Sequence, residues 1–413
     1  MKKYLNILFL GLLSVVIISC KFPAKNSCHK DVASTENQPY VVMLSMDGFR
    51  WDYADSVPTP NLDRIAKNGV KAVSMKPSFP SFTFPNHYSL ATGLYPNSHG
   101  LVFNKFHCPT TNKDYSIGDR KAVEDPDFYG GEPIWTTAEK QGITTASFFW
   151  VGSETSVCGC QPTIWKKYQH NLPFEDRIDS VVNWLQLPES KRPHLITWYM
   201  HEPDATGHKR GPHSRATDAV VMKLDSLVGV FVNKIESLPN ASKINIIILS
   251  DHGMCRVSPE RWVILKDKVK ESWVKRINSY NPTLGIVANE GCKDSIWNAL
   301  QTFEHIKAWK SSEVPERLHF GSNPRIGDFV VTADSAWSVD YTDRHPPKSG
   351  AHGFDNNITD MHAIFYAMGP AFKKGYTQPT FPNVDVYPLI AKILNIKPEP
   401  TDGKLEEVEG MLK

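Results

Sequence analysis

With 413 residues, the chain exceeds the usual size of a single core and predicts one large elaborated domain or two domains. Its 41% hydrophobic and 22% charged residues exclude a disordered or fibrous chain. The 46 basic residues nearly balance 44 acidic ones, and a net charge of +2 excludes bulk nucleic acid as an electrostatic partner.

Lys2 and Lys3 precede an apolar run from Leu5 to Ile18, too short to span a bilayer comfortably and placed as an export signal is. Small Ser19 stands directly before Cys20, an arrangement that resembles the bacterial lipobox, in which the cysteine is lipidated and becomes the new N-terminus. Residues 1–20 therefore read as a lipoprotein signal peptide; the alternative is an ordinary secretory signal with Cys20 incidental. On either reading the mature chain is exported. A lipid on Cys20 would anchor it to the membrane in the cell envelope, with the periplasmic side as the default. Polar residues 21–38 read as a tether. The other cysteines, Cys28, Cys108, Cys158, Cys160, Cys255 and Cys292, permit three disulfides and leave the pairing open. Metal binding by Cys158-Gly159-Cys160 competes with that, but no second Cys or His pair stands nearby at zinc-finger spacing.

Tyr40 to Met46 is an apolar run of strand length that ends at Asp47-Gly48. Thr59-Pro60 starts a short helix, with proline suited to its first turn. Thr83 stands between Phe82 and Phe84 at the head of a helix-like run, so its hydroxyl either caps that helix or is a nucleophile aimed by it. Thr144 to Phe149 reads as a strand, Glu175 to Leu187 as a helix, His194 to Met200 as a strand and Ser214 to Leu238 as a long helix. Ile244 to Ser250 is the clearest buried strand and ends in Asp251-His252-Gly253. Ala363 to Met368 supplies a late strand and Val384 to Leu394 a closing helix. This alternation predicts an α/β fold with a mostly parallel central sheet and helices on both faces. Between residues 254 and 347 the alternation weakens, and Trp262, Trp273, Trp297, Trp309 and Trp337 are scattered among charges. That stretch reads as a capping insertion, leaving residues 39–253 and 348–413 as the catalytic domain.

In an open parallel sheet, ligands bind beyond the carboxyl ends of the strands. Asp47, Asp204 and Asp251 each follow a strand there, accompanied by His208 and His252, and His352 lies in Gly350-Ala-His-Gly. A single aspartate after a strand is an ordinary cap or turn residue. Three carboxylates and three imidazoles together make two mixed nitrogen and oxygen metal sites, a donor set that favours zinc over magnesium or calcium. Two such ions about 4 Å apart would clamp the attacking and leaving oxygens of a phosphoryl transfer. Thr83, at a helix start whose dipole favours phosphate, supplies the hydroxyl to attack.

Taken together, Met46-Asp-Gly-Phe-Arg50, Thr83-Phe-Pro-Asn-His-Tyr88, Thr92-Gly-Leu-Tyr-Pro96, Ser98-His-Gly100, Glu202-Pro-Asp204 through His208, Ser250-Asp-His-Gly-Met254 and Gly350 through Asn356 resemble the nucleotide pyrophosphatase/phosphodiesterase family of the alkaline phosphatase superfamily. The resemblance runs from about residue 39 to 395. It implies an alkaline-phosphatase-like fold and two Zn2+ ions, one held by Asp47, Thr83, Asp251 and His252 and the other by Asp204, His208 and His352. It further implies attack by Thr83 on a nucleotide phosphodiester or pyrophosphate, a covalent phosphothreonine, and release of a nucleoside monophosphate. Asn104 would donate to a non-bridging phosphate oxygen, and Phe84 and Tyr168 would sandwich a base, with Trp150 walling the same pocket. The chain departs from relatives that cleave nucleoside triphosphates at Gly130-Gly131, where a lysine often precedes the second glycine. Other readings are a phospholipid or glycerophosphodiester phosphodiesterase on the same scaffold, a phosphomonoesterase, or an inactive binding protein.

Overall fold

The computed structural model describes residues 38–413. The signal segment, Cys20, Cys28 and the tether up to residue 37 lie outside them. Among the described residues Cys108, Cys158, Cys255 and Cys292 are free, so the three disulfides that the cysteine count permits are not all formed.

The first strand, β1 (Tyr40–Met46), is buried along its whole length. Successive side chains point to opposite faces of a strand, so a strand covered on both sides is mostly apolar and must pair any polar side chain it carries, here Ser45, whose hydroxyl meets His87 Nε2 at 2.9 Å. Val42, Leu44 and Met46 enter one apolar layer, and Val41 and Met43 enter the other. The central sheet continues with β2 (Val70–Ala72), β3 (Thr145–Phe148), β4 (Ile164–Lys166), β5 (Leu195–Met200) and β6 (Ile244–Leu249). Ile246 and Ile248 of β6 join the first layer, Ile247 and Leu249 the second. β1 pairs in parallel with β5 and β6, and β5 and β4 flank β3, again in parallel.

Between β6 and the end of the central sheet lies a separate antiparallel sheet of β7 (Val274–Tyr280), β8 (Thr283–Ala288), β9 (Ile306–Lys310) and β10 (Phe329–Ala333), in the order β7-β8-β10-β9. It has its own apolar cluster, including Leu284, Ile286, Phe329 and Val331. The chain then returns with β11 (Phe365–Met368), which runs antiparallel to β6, and β12 (Tyr376–Gln378). The eight-stranded order is β12-β2-β11-β6-β1-β5-β3-β4, so the fold is α/β with a mostly parallel sheet and β11 as its reversed member.

One face of the sheet is covered by α1 (Pro60–Asn68) and two later helices, Phe174–Trp184 and Arg215–Glu236, through Leu62, Ile65, Ile178, Val181, Val221 and Phe231. Ser214 caps the longest of these by accepting the Thr217 amide at 3.2 Å. The other face is covered by α2 (Thr83–Thr92) and by helices Ile134–Lys140 and Val386–Ile393, through Leu90, Trp135, Leu389 and Ile390. Among the described residues no helix is long and apolar enough to cross a membrane.

Candidate active site

The carboxyl ends of β1, β5 and β6 are neighbours because those strands are, and each delivers an aspartate to the same sheet edge. Asp47 follows β1 directly, Asp251 follows β6 after Ser250, and Asp204 opens the short helix Asp204–Arg210 beyond β5. The Asp204 amide donates to the Asp47 carbonyl at 2.9 Å, and the Asp47 amide to the Met200 carbonyl at 2.9 Å. Gly48 makes that approach possible. It holds φ +66°, and a Cβ on it would lie 2.9 Å from Asp204 Cα.

Thr83 is the first residue of α2, and Phe82 occupies the cap position. Its hydroxyl instead lies 3.1 Å from His252 Nε2. The same Nε2 is 3.0 Å from Asp251 Oδ2 and 3.4 Å from Asp47 Oδ1. Thus the expected set of Asp47, Thr83, Asp251 and His252 converges on one point. His208 Nε2 and His352 Nε2 stand 3.4 and 3.6 Å from Asp204 Oδ1, bringing the other expected set together. The His252 and His352 rings stack with centroids 3.6 Å apart, which places the two groups side by side. Asp204 belongs to both: its carboxylate also lies within ligand reach of Asp47 and His252.

Two observations test whether these residues fit metal ions. Asp47 Oδ1 and Asp204 Oδ1 are buried atoms that accept no hydrogen bond from any described residue, and Asp251 Oδ2 meets the His252 and His87 ring nitrogens at 3.0 and 3.2 Å, although a buried carboxylate oxygen demands a donor or a cation. Each histidine also keeps Nε2 available, because Nδ1 sits against a backbone carbonyl: Gly350 for His208, Gly253 for His252 and Ser81 for His352, at 2.8–2.9 Å. A carbonyl only accepts, so Nδ1 carries the proton and Nε2 presents its lone pair. The residues fit bound metal cations.

The charges agree. Burial pushes the Asp47 carboxyl well above its ordinary range, and the Asp251 and Asp204 charges push it further. Burial pushes the His352 imidazole well down, as do neighbouring His252 and His208, keeping it in the neutral form a metal requires. Burial also opposes ionisation of Asp251, but His252 and His87 outweigh it and hold that carboxyl well below its usual value.

His87 and Tyr199 are two residues the sequence did not single out. His87 lies one helical turn after Thr83, with Nδ1 2.9 Å from the Thr83 carbonyl and 3.2 Å from Asp251 Oδ2. Its Nε2 meets the Ser45 hydroxyl at 2.9 Å, so both nitrogens are engaged and the ring braces Thr83 against Asp251. The spacing from Thr83 is the only sequence signal for it. The Tyr199 hydroxyl donates to Asp47 Oδ2 at 2.6 Å and leaves Oδ1 free.

Beside Thr83 lies a cavity of about 250 Å³ whose walls include Phe84, Tyr168 and Trp150, the three aromatics named above, along with Phe149, Arg120 and Glu154. Trp150 is buried and its indole donates to the His87 carbonyl at 2.9 Å, so it is both core and wall. Arg120 and Glu154 form an ion pair in this wall that the sequence did not disclose. Asn104 is buried on the other side of Thr83. Its Oδ1 accepts the Phe84 amide at 3.1 Å, which turns Nδ2 toward a second, larger cleft.

The family profile described as type I phosphodiesterase / nucleotide pyrophosphatase matches residues 41–355. Human ectonucleotide pyrophosphatase/phosphodiesterase family member 1 is 35% identical over 91% of this chain and 42% of its own length. The venom phosphodiesterase CdcPDE of Crotalus durissus collilineatus is 36% identical over 92% of this chain and 47% of its own. The chain therefore spans less than half the length of these curated relatives. An inactive variant of murine ectonucleotide pyrophosphatase/phosphodiesterase 5, solved in complex with AMP, superposes with a TM-score of 0.87 at 32% identity, covering 91% of this chain and all of that one. The human counterpart of that enzyme gives 0.86 at 33% identity. Sheet order, the gathered Asp and His side chains, and these matches lead to one assignment: the chain belongs to the type I phosphodiesterase/nucleotide pyrophosphatase family.

Proposed function

We propose that this protein hydrolyses phosphodiester or pyrophosphate bonds in nucleotides or their derivatives, using two zinc ions, and releases a nucleoside monophosphate. The observation that carries the reading is the position of Thr83, between orphaned buried carboxylate oxygens on one side and an aromatic-lined cavity on the other. Asp47, Asp251, His252 and Thr83 would hold one ion, and Asp204, His208 and His352 the other. Bound there, the ions would favour ionisation of a hydroxyl and offset negative charge on the phosphoryl oxygens. Thr83 Oγ forms a bond to phosphorus as the bond to the leaving oxygen breaks; the threonine proton is released and the leaving oxygen is protonated. Water then attacks the phosphothreonine, restoring the Thr83 hydroxyl and freeing the monophosphate. The net change is one water consumed per bond cleaved. Asn104 Nδ2 would donate to a non-bridging oxygen, a contribution of about 3 kcal/mol for such a preorganised donor. Phe84 and Tyr168 would stack on the base and Trp150 would close the end of the slot, at about 1–3 kcal/mol per stacking contact. AMP in the murine relative's complex supports a nucleotide in this position.

On this reading residues 39–253 and 348–413 form the catalytic body, with 254–347 as a cap over it. The apolar run before Cys20 supports an exported protein anchored through a lipid.

Thr83→Ala tests the mechanism. Turnover of p-nitrophenyl-thymidine monophosphate should fall by about 10³-fold or more, with melting temperature and zinc content kept. Retained turnover in that variant would sink the covalent step. On the wild type, p-nitrophenylphosphorylcholine and p-nitrophenyl phosphate complete the panel. A dominant choline ester signal would overturn the nucleotide reading, and a dominant monoester signal the diester one.

A further inference from the structure

The larger cleft, on the Asn104 side of Thr83, is walled in part by Tyr280, the last residue of β7. Tyr280 comes from the antiparallel sheet outside the central one, and the mechanism above does not use it. Its ring meets the Phe82 ring edge to face at 5.8 Å, and Phe82 is the residue before the nucleophile. Its hydroxyl accepts from Asn104 Nδ2 at 3.1 Å. Because Asn104 Oδ1 is held by the Phe84 amide, the amide group, the phenol and the first turn of α2 form one connected unit. A phenol can accept and also donate once, and among the described residues the Tyr280 hydroxyl has no acceptor for its own proton. The residue is 39% exposed, so the ring is anchored while part of the side chain remains open to the cleft.

We infer that Tyr280 is a second donor to the reacting phosphoryl group, forming with Asn104 a two-pronged cradle for a non-bridging oxygen of a phosphorus attacked by Thr83. The inference rests on the phosphodiesterase reading and deepens it. Charge in such a transition state is spread over the non-bridging oxygens, where fixed hydrogen-bond donors act most strongly. Both prongs are neutral. Two neutral donors suit a diester, which carries one negative charge, better than a dianionic monoester, for which a guanidinium clamp would be apt. The sheet that carries β7 thereby contributes a group to the chemistry as well as cover.

Tyr280→Phe removes only the hydroxyl and keeps the ring against Phe82, so an unchanged melting curve is expected. Its kcat on p-nitrophenyl-thymidine monophosphate should fall about 10- to 100-fold with little change in KM. The zinc-loaded variant should also bind orthovanadate about 10-fold more weakly by calorimetry. In an Asn104→Ala background, Tyr280→Phe should lower kcat further, because the phenol donates directly. Wild-type kcat and vanadate affinity in Tyr280→Phe would overturn the inference. So would the absence of any further loss in the Asn104→Ala background, since Tyr280 would then act only by positioning Asn104. A wild-type protein that cleaved none of the esters would instead defeat the phosphodiesterase reading, while the vanadate titration would still decide the cradle.

Discussion

Alanine at Gly48 perturbs the site through the backbone without touching a candidate ligand. Two costs can be worked from the geometry. The residue holds φ +66°, and placing a side chain in that region costs about 1–2 kcal/mol. The new Cβ would also stand 2.9 Å from both Cα and Cβ of Asp204, where ordinary contact begins near 3.4 Å. Backbone cannot rotate aside, so Asp204 must retreat by about half an ångström or more, stretching its 2.9 Å amide bond to the Asp47 carbonyl. Asp204 faces both halves of the candidate metal site, and misplacing reacting groups by about 1 Å can cost 10²-fold in rate. Gly291 provides the control, since it has φ +73° with nothing within 4 Å of the position a Cβ would take. Gly291→Ala should lose stability by the conformational term alone and keep full activity. Gly48→Ala should lose about 10- to 100-fold in kcat/KM on a chromogenic nucleotide diester, together with zinc, while remaining folded by thermal melting. Equal activity and zinc content in the two variants would refute the argument that Gly48 sets the Asp204 position.

Two further outcomes are expected. Chelation should leave the buried oxygens of Asp47, Asp204 and Asp251 without the metal's counter-charge, and zinc at about 1,000 times its dissociation constant should restore about 4 kcal/mol, or about 5 °C in Tm for a chain this long. An identical Tm with and without chelator would refute metal binding there. His99 is buried, and burial pushes its imidazole down to about 3. The unfolded chain protonates the same group near its ordinary value of about 6.5, so this contribution to stability is whole above that pH and is lost as pH falls from there toward 3. Unfolding free energies from urea titration at pH 6.5 and 5 should therefore differ by about 1.6 kcal/mol more in the wild type than in His99→Gln, and parallel pH profiles would refute the burial argument.

The parts of the fold and site that could be read from the sequence are those where burial leaves no choice. β1 and β6 are apolar except at Ser45 and Asn245 because both faces are covered, and each hands over to an aspartate at the sheet edge. The strand expected at Thr144–Phe149 ends at Phe148, since Phe149 turns to φ +73°. The late strand at Phe365–Met368 was visible as an apolar run, but its reversed direction was not, because direction is set by the path of the connection. The four-stranded sheet of residues 274–333 gives no clear strand pattern, since β7 mixes exposed, half-buried and buried positions, β9 is mostly half-buried, and both carry basic residues among apolar ones. His87, Tyr199 and Tyr280 were missed for a different reason. Each works through a partner far away in the chain, Asp251, Asp47 and Asn104, and no local pattern marks such a pair.

β1 is the first described strand of the chain and also lies in the interior of the sheet, between β5 and β6. Its partners begin at Leu195 and Ile244, so a seven-residue segment that is apolar except at Ser45 emerges from the ribosome long before those partners can cover it. Closing loops of this length is slow, and exposed apolar strands are prone to aggregate during the delay. Folding of the central sheet must therefore wait until the chain is synthesised through Leu249, and the reversed strand β11, still later, seals the flank of β6. A fragment truncated before Ile244 would hold Asp47, Thr83, Asp204 and His208 and leave one edge of β1 without its partner β6.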